Sequence, residues 1–219
     1  MSKFIIVEGP DFCGKTTQIN LLYEKNRDND LMLFTREPGS HLPCSSRECE
    51  TIRKYILNNN LTAEEETQAL ASSRFVHTKE IINILAEDEM TILCDRYIVS
   101  SLAYQGYAQC LGKNFIYELH KDTLDLLNSN NIEIHCIKFV IGQEEWNKRK
   151  QARLNVQAAD SIESKNIFDK VFEFYNNDEV FNYYTKNLNM KVYNIDANKS
   201  IEEIQKEFER NVNYIIKYY

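Results

Sequence analysis

No run of apolar residues in this chain approaches the roughly 20 needed to span a bilayer, and no secretory leader precedes Phe4. A cytoplasmic protein is expected, or one working in a host cytoplasm if a virus encodes it. The six cysteines (Cys13, Cys44, Cys49, Cys94, Cys110 and Cys136) form no C-x-x-C pair. The closest two, Cys44 and Cys49, have no histidine or second cysteine pair at zinc spacing, so reduced thiols are expected rather than a metal cluster. Positive charge is also short: 26 Lys and Arg against 33 Asp and Glu leave a formal charge of -7. An extended nucleic-acid surface needs a basic stripe to displace counterions, and none is present. There is no internal repeat, low-complexity tract or Pro/Gly/Ser linker, and the three prolines, Pro10, Pro38 and Pro43, fall in expected loops. One domain over 1–219 is expected, large enough to bury a core without disulfides or metal. The four histidines are scattered: His41 in a loop, His77 on a helix, His120 in a polar helix, His135 in a strand. No Ser/His/Asp or Cys/His constellation for covalent catalysis can be built from them, and none is expected to be catalytic.

What is present is an alternation. Short apolar strands recur at "KFIIVE", "LMLFT", "MTILC", "IHCIKFVI" and "KVYNI", with helical periodicity in most intervals between them. That order is the signature of an α/β fold with a mostly parallel sheet covered on both faces. Thr62 to Glu65 make a T-x-x-E capping box that opens a long amphipathic helix, on which Leu70 and Arg74 lie one turn apart. Ligands of such sheets gather where loops leave the carboxyl ends of strands. Four segments leave there: "GPDFCGKT", "TREPGS", "DRY" and the stretch after "FVIG".

The first of these, within "VEGPDFCGKTTQ", meets the Walker A form G-x-x-x-x-G-K-[ST] between a strand and a helix. Gly9 and Gly14 let the backbone curl until its N–H groups surround a phosphate. Lys15, expected on a surface loop, would reach the outer phosphates. Thr16 would place its hydroxyl on a magnesium ion, and the helix would aim its positive dipole end at the same anion. Cys13 is placed by phosphate binding rather than by nucleophilic chemistry. Asp95 directly follows a strand, where a P-loop protein needs a carboxylate for magnesium or its water. Arg36, Arg96 and the group Lys148, Arg149, Lys150 and Arg153 supply cations for a second phosphate and for charge developing in transfer. Phosphoryl transfer needs alignment and cations rather than covalent catalysis, in keeping with the missing constellations.

With these motifs in order over nearly the whole chain, "EGPDFCGKTT", "FTREPGS", "DRYIVSSLAYQG" and "IDANKSIEEI" resemble the thymidylate kinase family of nucleoside monophosphate kinases. The resemblance implies a P-loop NTPase fold with a five-stranded parallel sheet, helices on both faces and a mobile lid at about 143–160, in a homodimer. It implies transfer of the γ-phosphoryl of ATP, with Mg²⁺, to a deoxypyrimidine 5′-monophosphate, most simply dTMP giving dTDP. Gly9, Pro10, Asp11, Phe12, Cys13, Gly14, Lys15, Thr16 and Thr17 would cradle ATP, with Lys15 on the transferred phosphoryl and Thr16 and Asp95 serving the metal. Asp11 would also accept from the acceptor's 3′-hydroxyl. Arg36 and Arg96 would grip its 5′-phosphate, and Asp95 would orient Arg96. Arg74 would donate to the base carbonyl, Ser101 would lie beside the base edge, and Tyr104 would stand under the sugar. Lys15, Arg96, Arg149 and Arg153 form the expected catalytic set.

Three positions depart from the family pattern. The P-loop carries Phe12 and Cys13 where some members have a catalytic arginine, which moves that duty to the lid. Ser161 in "DSIE" replaces the arginine of the family's "DRIE", which points to Arg149 or Arg153. Leu70 stands where an aromatic residue usually stacks on the base, so dUMP or a 5-modified dUMP is expected to be tolerated beside dTMP. Two other classes share parts of the pattern. A deoxynucleoside kinase pairs a P-loop with a DR-type motif but has no acceptor phosphate for Arg36 to hold. A switch GTPase or nucleotide-sensing binding protein would need no lid cations, and the guanine motif N-K-x-D is missing, since "NKRK" and "NKSI" both fail it.

Overall fold

A computed structural model describes residues 2–87, 89–154 and 165–219. Its five strands, β1 (Lys3–Glu8), β2 (Met32–Arg36), β3 (Thr91–Asp95), β4 (Ile134–Val140) and β5 (Met190–Asp196), form one parallel sheet in the order β2-β3-β1-β4-β5. Each lies within one residue, at either end, of an apolar run read from the sequence.

The period of two divides the sheet residues between two cores. Phe4, Ile6, Ile92, Cys94, Ile134 and Cys136 pack on one face with Leu102, Val171 and Phe174. Ile5, Val7, Leu93, Ile137 and Phe139 pack on the other with Ile19, Leu22, Trp146, Phe208 and Val212. β1 lies in the middle and all six of its residues are buried, including Lys3 and Glu8. Full burial of each aliphatic side chain contributes about 1.5 to 3 kcal/mol, so Ile5 and Ile6 anchor the strand that carries the P-loop. β5 is an edge, and Val192 on it is 40% exposed.

Helix α1 (Lys15–Asn26) starts directly from the P-loop, and its N-cap, Gly14, makes no side-chain cap. The first-turn N–H groups are thereby left for an anion. Helix α2 (Ser46–Asn58) follows the "TREPGS" loop, and α3 (Ala63–Leu85) opens on the reciprocal capping box of Thr62 and Glu65. Helix α4 (Ile98–Ser101) runs into a π-helical segment, Leu102–Ala108, which precedes α5 (Lys113–Leu119) and α6 (Lys121–Ser129). His120, expected in a polar helix, is instead the fully buried junction between α5 and α6. Helices α7 (Gln143–Leu154), α8 (Lys165–Asn176), α9 (Asp178–Thr185) and α10 (Ile201–Tyr218) complete the layers. The expected lid begins as α7. Its residues 155–160, and with them "DSIE" and Ser161, lie outside the described residues. Among the described residues, no helix is long and apolar enough to cross a membrane.

Candidate active site

Because every strand runs the same way, the loops at the carboxyl ends open on one side. A cleft of about 1470 Å³ lies there. It extends from the P-loop along α1, past Tyr23 and Asn26, to Met32 at the start of β2. Its walls hold Asp11, Gly14, Lys15 and Thr16 of the P-loop, Arg36, Glu37 and His41 after β2, Asp95 and Arg96 after β3, Arg149 and Arg153 of α7, and Lys199 to Ile201 after β5.

Backbone geometry makes the P-loop. Gly9 crosses β4 so closely that a Cβ on it would lie 2.9 Å from the Phe139 carbonyl oxygen, and Gly14 turns at φ 95. Phe12 and Arg96 hold φ values of 67 and 66, conformations costly for residues with a Cβ and concentrated at functional sites. Lys15 departs from the expected surface placement. It is 4% exposed as the first residue of α1, and its ammonium donates back to the carbonyls of Gly9 at 2.8 Å and Pro10 at 2.9 Å. It therefore also closes the loop in which it sits.

Asp11 is the centre of the cleft. One carboxylate oxygen accepts from Arg96 Nη2 and the other from the Tyr104 hydroxyl. Burial alone would raise its pKa, but Arg96, Lys15 and the Tyr104 hydrogen bond outweigh it and hold the carboxyl below the usual range. Arg96 also reaches the Gly9 carbonyl and Ser100 Oγ at 3.4 and 3.2 Å. The expectation that Asp95 orients Arg96 is corrected here: Asp11 does so. Asp95 Oδ1 is buried and has no partner among the described residues. An orphaned carboxylate oxygen and the exposed Thr16, both on the cleft wall, are hard oxygen donors suited to magnesium.

The "DR" turn is fixed from beneath by Glu8. Its buried carboxylate accepts from the Tyr97 N–H at 2.7 Å, Ser100 Oγ at 2.8 Å and the Tyr175 hydroxyl at 2.6 Å. Burial raises its pKa against the opposing pull of Arg96 and these donors. Arg36, in register with Asp95 across β2 and β3, pairs with Glu50 at 2.9 Å, and its Nε has no partner among the described residues. Arg53 of α2, which donates to the Pro38 carbonyl at 3.1 Å, adds a third arginine beside Arg36 and Arg96.

Leu70, Arg74, Ser101 and Tyr104 are one layer back from this lining, and two of them bond residues in it, Arg74 to Glu37 and Tyr104 to Asp11. Arg74, 3% exposed, also donates to Ser101 Oγ at 3.0 Å. Leu70 is 8% exposed on the same helix, one turn from Glu66, which accepts from Gln105 at 2.8 Å.

The four cations of α7 separate. Lys148 is exposed and paired with Glu145, and Lys150 bonds Asp169 over the Trp146 ring, so neither lines the cleft. Arg149 spends all three nitrogens on Glu145, the Cys13 carbonyl and the Ala197 carbonyl. Arg153 is exposed, with its guanidinium carbon 6.0 Å from the Phe12 ring centroid and its charge felt by Asp11.

The sequence reading missed Glu8, Glu37, Arg53, Trp146 and His120. For Trp146 a signal existed, since the chain's one tryptophan sits in the otherwise charged "EEWNKRK".

A Walker loop on the central strand, Arg36, Arg53 and Arg96 in the same cleft as Lys15, and a helix whose Arg149 bonds the loop define a P-loop kinase of nucleotides. The family model for thymidylate kinase matches residues 7–208, and the chain belongs to the thymidylate kinase family. It is 36% identical over 158 residues to the thymidylate kinase of Staphylococcus haemolyticus, covering 71% of this chain and 75% of that one. It is 31% identical over 158 residues to that of Lactiplantibacillus plantarum, covering 70% and 69%. Its fold matches the crystal structure of thymidylate kinase from Ehrlichia chaffeensis with a TM-score of 0.60, over 97% of this chain and 98% of that chain, at 22% identity.

Proposed function

We propose that this kinase transfers the γ-phosphoryl of ATP to the 5′-phosphate of dTMP, and that it accepts dUMP or a 5-modified dUMP more readily than its relatives do. The observation that supports the first part is that cations from the P-loop, the segments after β2 and β3, α2 and α7 line one cleft. Lys15, the α1 N-terminus and Arg153 come from the P-loop and α7, and Arg36, Arg53 and Arg96 from the segments after β2 and β3, with Arg96 and Lys15 meeting at the Gly9 carbonyl.

In this mechanism, Lys15, Thr16 and the loop N–H groups hold the donor's outer phosphates, while Arg36, Arg53 and Arg96 hold the acceptor phosphate in line with them. The γ-phosphorus leaves the bridging oxygen and bonds an acceptor phosphate oxygen. Lys15 and Arg153 follow the charge that moves to the leaving group. Thr16 and Asp95 would hold a magnesium ion, which supplies charge neutralisation at the phosphate oxygens. Asp11 offers its carboxylate to the 3′-hydroxyl once Arg96 turns to the phosphate. Tyr104, already bonded to Asp11, would come under the sugar.

The second part rests on Leu70. An aromatic floor contributes about 1 to 3 kcal/mol per stacked base, and leucine supplies apolar contact without stacking. Binding then leans on Arg74, whose guanidinium only donates. It matches the 4-carbonyl of thymine or uracil and not the 4-amino group of cytosine. The test is kcat/KM with ATP for dTMP, dUMP, dCMP and dGMP, in wild type and Leu70→Phe. A wild-type preference for dTMP over dUMP beyond about a hundredfold exceeds what one methyl group supplies and would sink the relaxed pocket. Efficient use of dCMP or dGMP would remove Arg74 from its role. A homodimer and a cytoplasmic location, both implied by the family, belong to the same proposal, and light scattering on the purified protein checks the first.

A further inference from the structure

Arg74 is held from several directions, and one of its partners has no place in the mechanism above. Nε donates to Glu37, whose other carboxylate oxygen meets His77 Nδ1 at 3.0 Å, and His77 Nε2 meets Thr35 Oγ1 at 2.9 Å. Nη1 donates to Ser101 Oγ and also to His120 Nε2, at 2.5 Å. His120 is fully buried, between α5 and α6.

The tautomer of His120 follows from its two neighbours. Its Nδ1 lies 2.8 Å from the Ile116 carbonyl, which can only accept, so Nδ1 carries the proton. Its Nε2 faces an arginine, which can only donate, so Nε2 presents a lone pair. An imidazolium would set N–H against N–H. Burial and the Arg74 charge both act against that form and bring the pKa down to about 3, with only the Ile116 carbonyl opposing. The groups facing the ring are thus Arg74 from α3 and the Ile116 carbonyl from α5, and both are satisfied only by one neutral tautomer.

Arginine has five N–H donors in a rigid plane. Three are accounted for by Glu37, Ser101 and His120, which together fix that plane. Nη2 takes part in none of these three bonds. We propose that His120 is a positioning residue for base selection: as a neutral acceptor it locks the Arg74 guanidinium so that Nη2 is left for the carbonyl of the acceptor base. This rests on the acceptor assignment proposed above. Without the lock, one N–H of Nη1 would lose its acceptor and the guanidinium would be held only by Glu37 and Ser101, so a carbonyl-bearing base would be held less well and discriminated less.

The test compares wild type, His120→Leu, which removes the acceptor, and His120→Asn, whose side-chain oxygen can replace it. KM and kcat are measured for dTMP, dCMP and ATP. Loss of a hydrogen bond to a charged group predicts that His120→Leu raises KM for dTMP about tenfold or more and narrows the dTMP to dCMP ratio, while KM for ATP stays within about twofold. His120→Asn should return the dTMP value to within about threefold of wild type. A dTMP KM in His120→Leu within about twofold of wild type overturns the proposal. So does an equal rise in both KM values that His120→Asn fails to rescue, which marks a purely structural residue. If His120→Leu does not fold, the imidazole ¹⁵N spectrum of the wild type decides. A protonated Nδ1 and bare Nε2 near neutral pH are expected, with and without dTMP, and an Nε2-protonated ring overturns the lock. If the wild type does not phosphorylate dTMP at all, the acceptor assignment has failed, and the same spectrum still decides whether His120 locks Arg74.

Discussion

The indole N–H of Trp146 donates to the main-chain carbonyl of Asp11 at 2.8 Å, tying α7 to the P-loop. The ring is fully buried, with Phe12 on one side and Phe172 on another at centroid distances of 6.3 and 4.7 Å. The helix that carries Arg149 and Arg153 is thereby held against the P-loop. Trp146→Phe keeps most of the apolar burial and removes the donor. It should lower stability by about 1 kcal/mol and reduce kcat several-fold, read by urea unfolding and steady-state kinetics. As the only tryptophan, Trp146 should also change its fluorescence when ATP binds. Unchanged stability and turnover in the variant would show that the contact does not hold the helix.

Lys15 has two duties, since its ammonium bonds two loop carbonyls and faces the cleft. Lys15→Ala should reduce transfer by about a thousandfold or more. It should also lower stability by about 1 to 2 kcal/mol, because two carbonyls lose a charged donor. Turnover and thermal unfolding on one preparation check both, and near-normal turnover would rule out the site.

Arg149 and Arg153 are one turn apart and differ in what they touch. Arg149 bridges the P-loop and the residue after β5 through main-chain carbonyls, whereas Arg153 is exposed toward Phe12 and Asp11. Arg149→Ala is expected to lower Tm and raise KM for ATP. Arg153→Ala should leave Tm nearly unchanged and lower kcat by about a hundredfold, as the P-loop has no arginine of its own. The reverse pattern in unfolding and kinetic data would exchange the two roles.

The buried histidines predict acid sensitivity. His120 is held at a pKa of about 3 and His135 at about 4, against 6.5 for a free imidazole, in each case with burial as the first cause. Both native values are depressed, so below about pH 6.5 the unfolded chain takes up protons that the native state refuses, and stability falls with pH. At about 1.4 kcal/mol per pH unit, His120 alone should cost roughly 2 kcal/mol between pH 6.5 and 5, and His135 a smaller, solvent-screened share. Chemical denaturation across that range measures the slope, which His120→Asn should reduce by more than half. A slope unchanged in that variant would show that His120 is not the titrating group.

The strands and the P-loop were legible because their causes are local: a period of two, glycines at fixed spacing, a capping box three residues long. The roles of Glu37 and His120 were not, because each comes from contacts between elements distant in the chain. The Arg74 to His120 bond spans 46 residues, and nothing in "ELHKD" marks a buried turn. The π-helical segment, Leu102–Ala108, was likewise hidden, since its bonding pattern leaves no distinct apolar period. Asp95 was read correctly as a carboxylate at a strand end but given the wrong partner, because adjacency in sequence says little about which side chain turns toward which. Arg96 leaves β3 at φ 66, which carries its guanidinium across to Asp11.

The claim on which the rest depends is that Arg36, Arg53 and Arg96 hold the 5′-phosphate of an acceptor. The direct measurement is kcat/KM with saturating ATP for dTMP and for thymidine, which differ only by that phosphate, in wild type and in Arg36→Ala. The wild type should favour dTMP by at least about a thousandfold, and Arg36→Ala should lose activity on dTMP without gaining any on thymidine. Comparable use of thymidine by the wild type would contradict this and make the protein a nucleoside kinase.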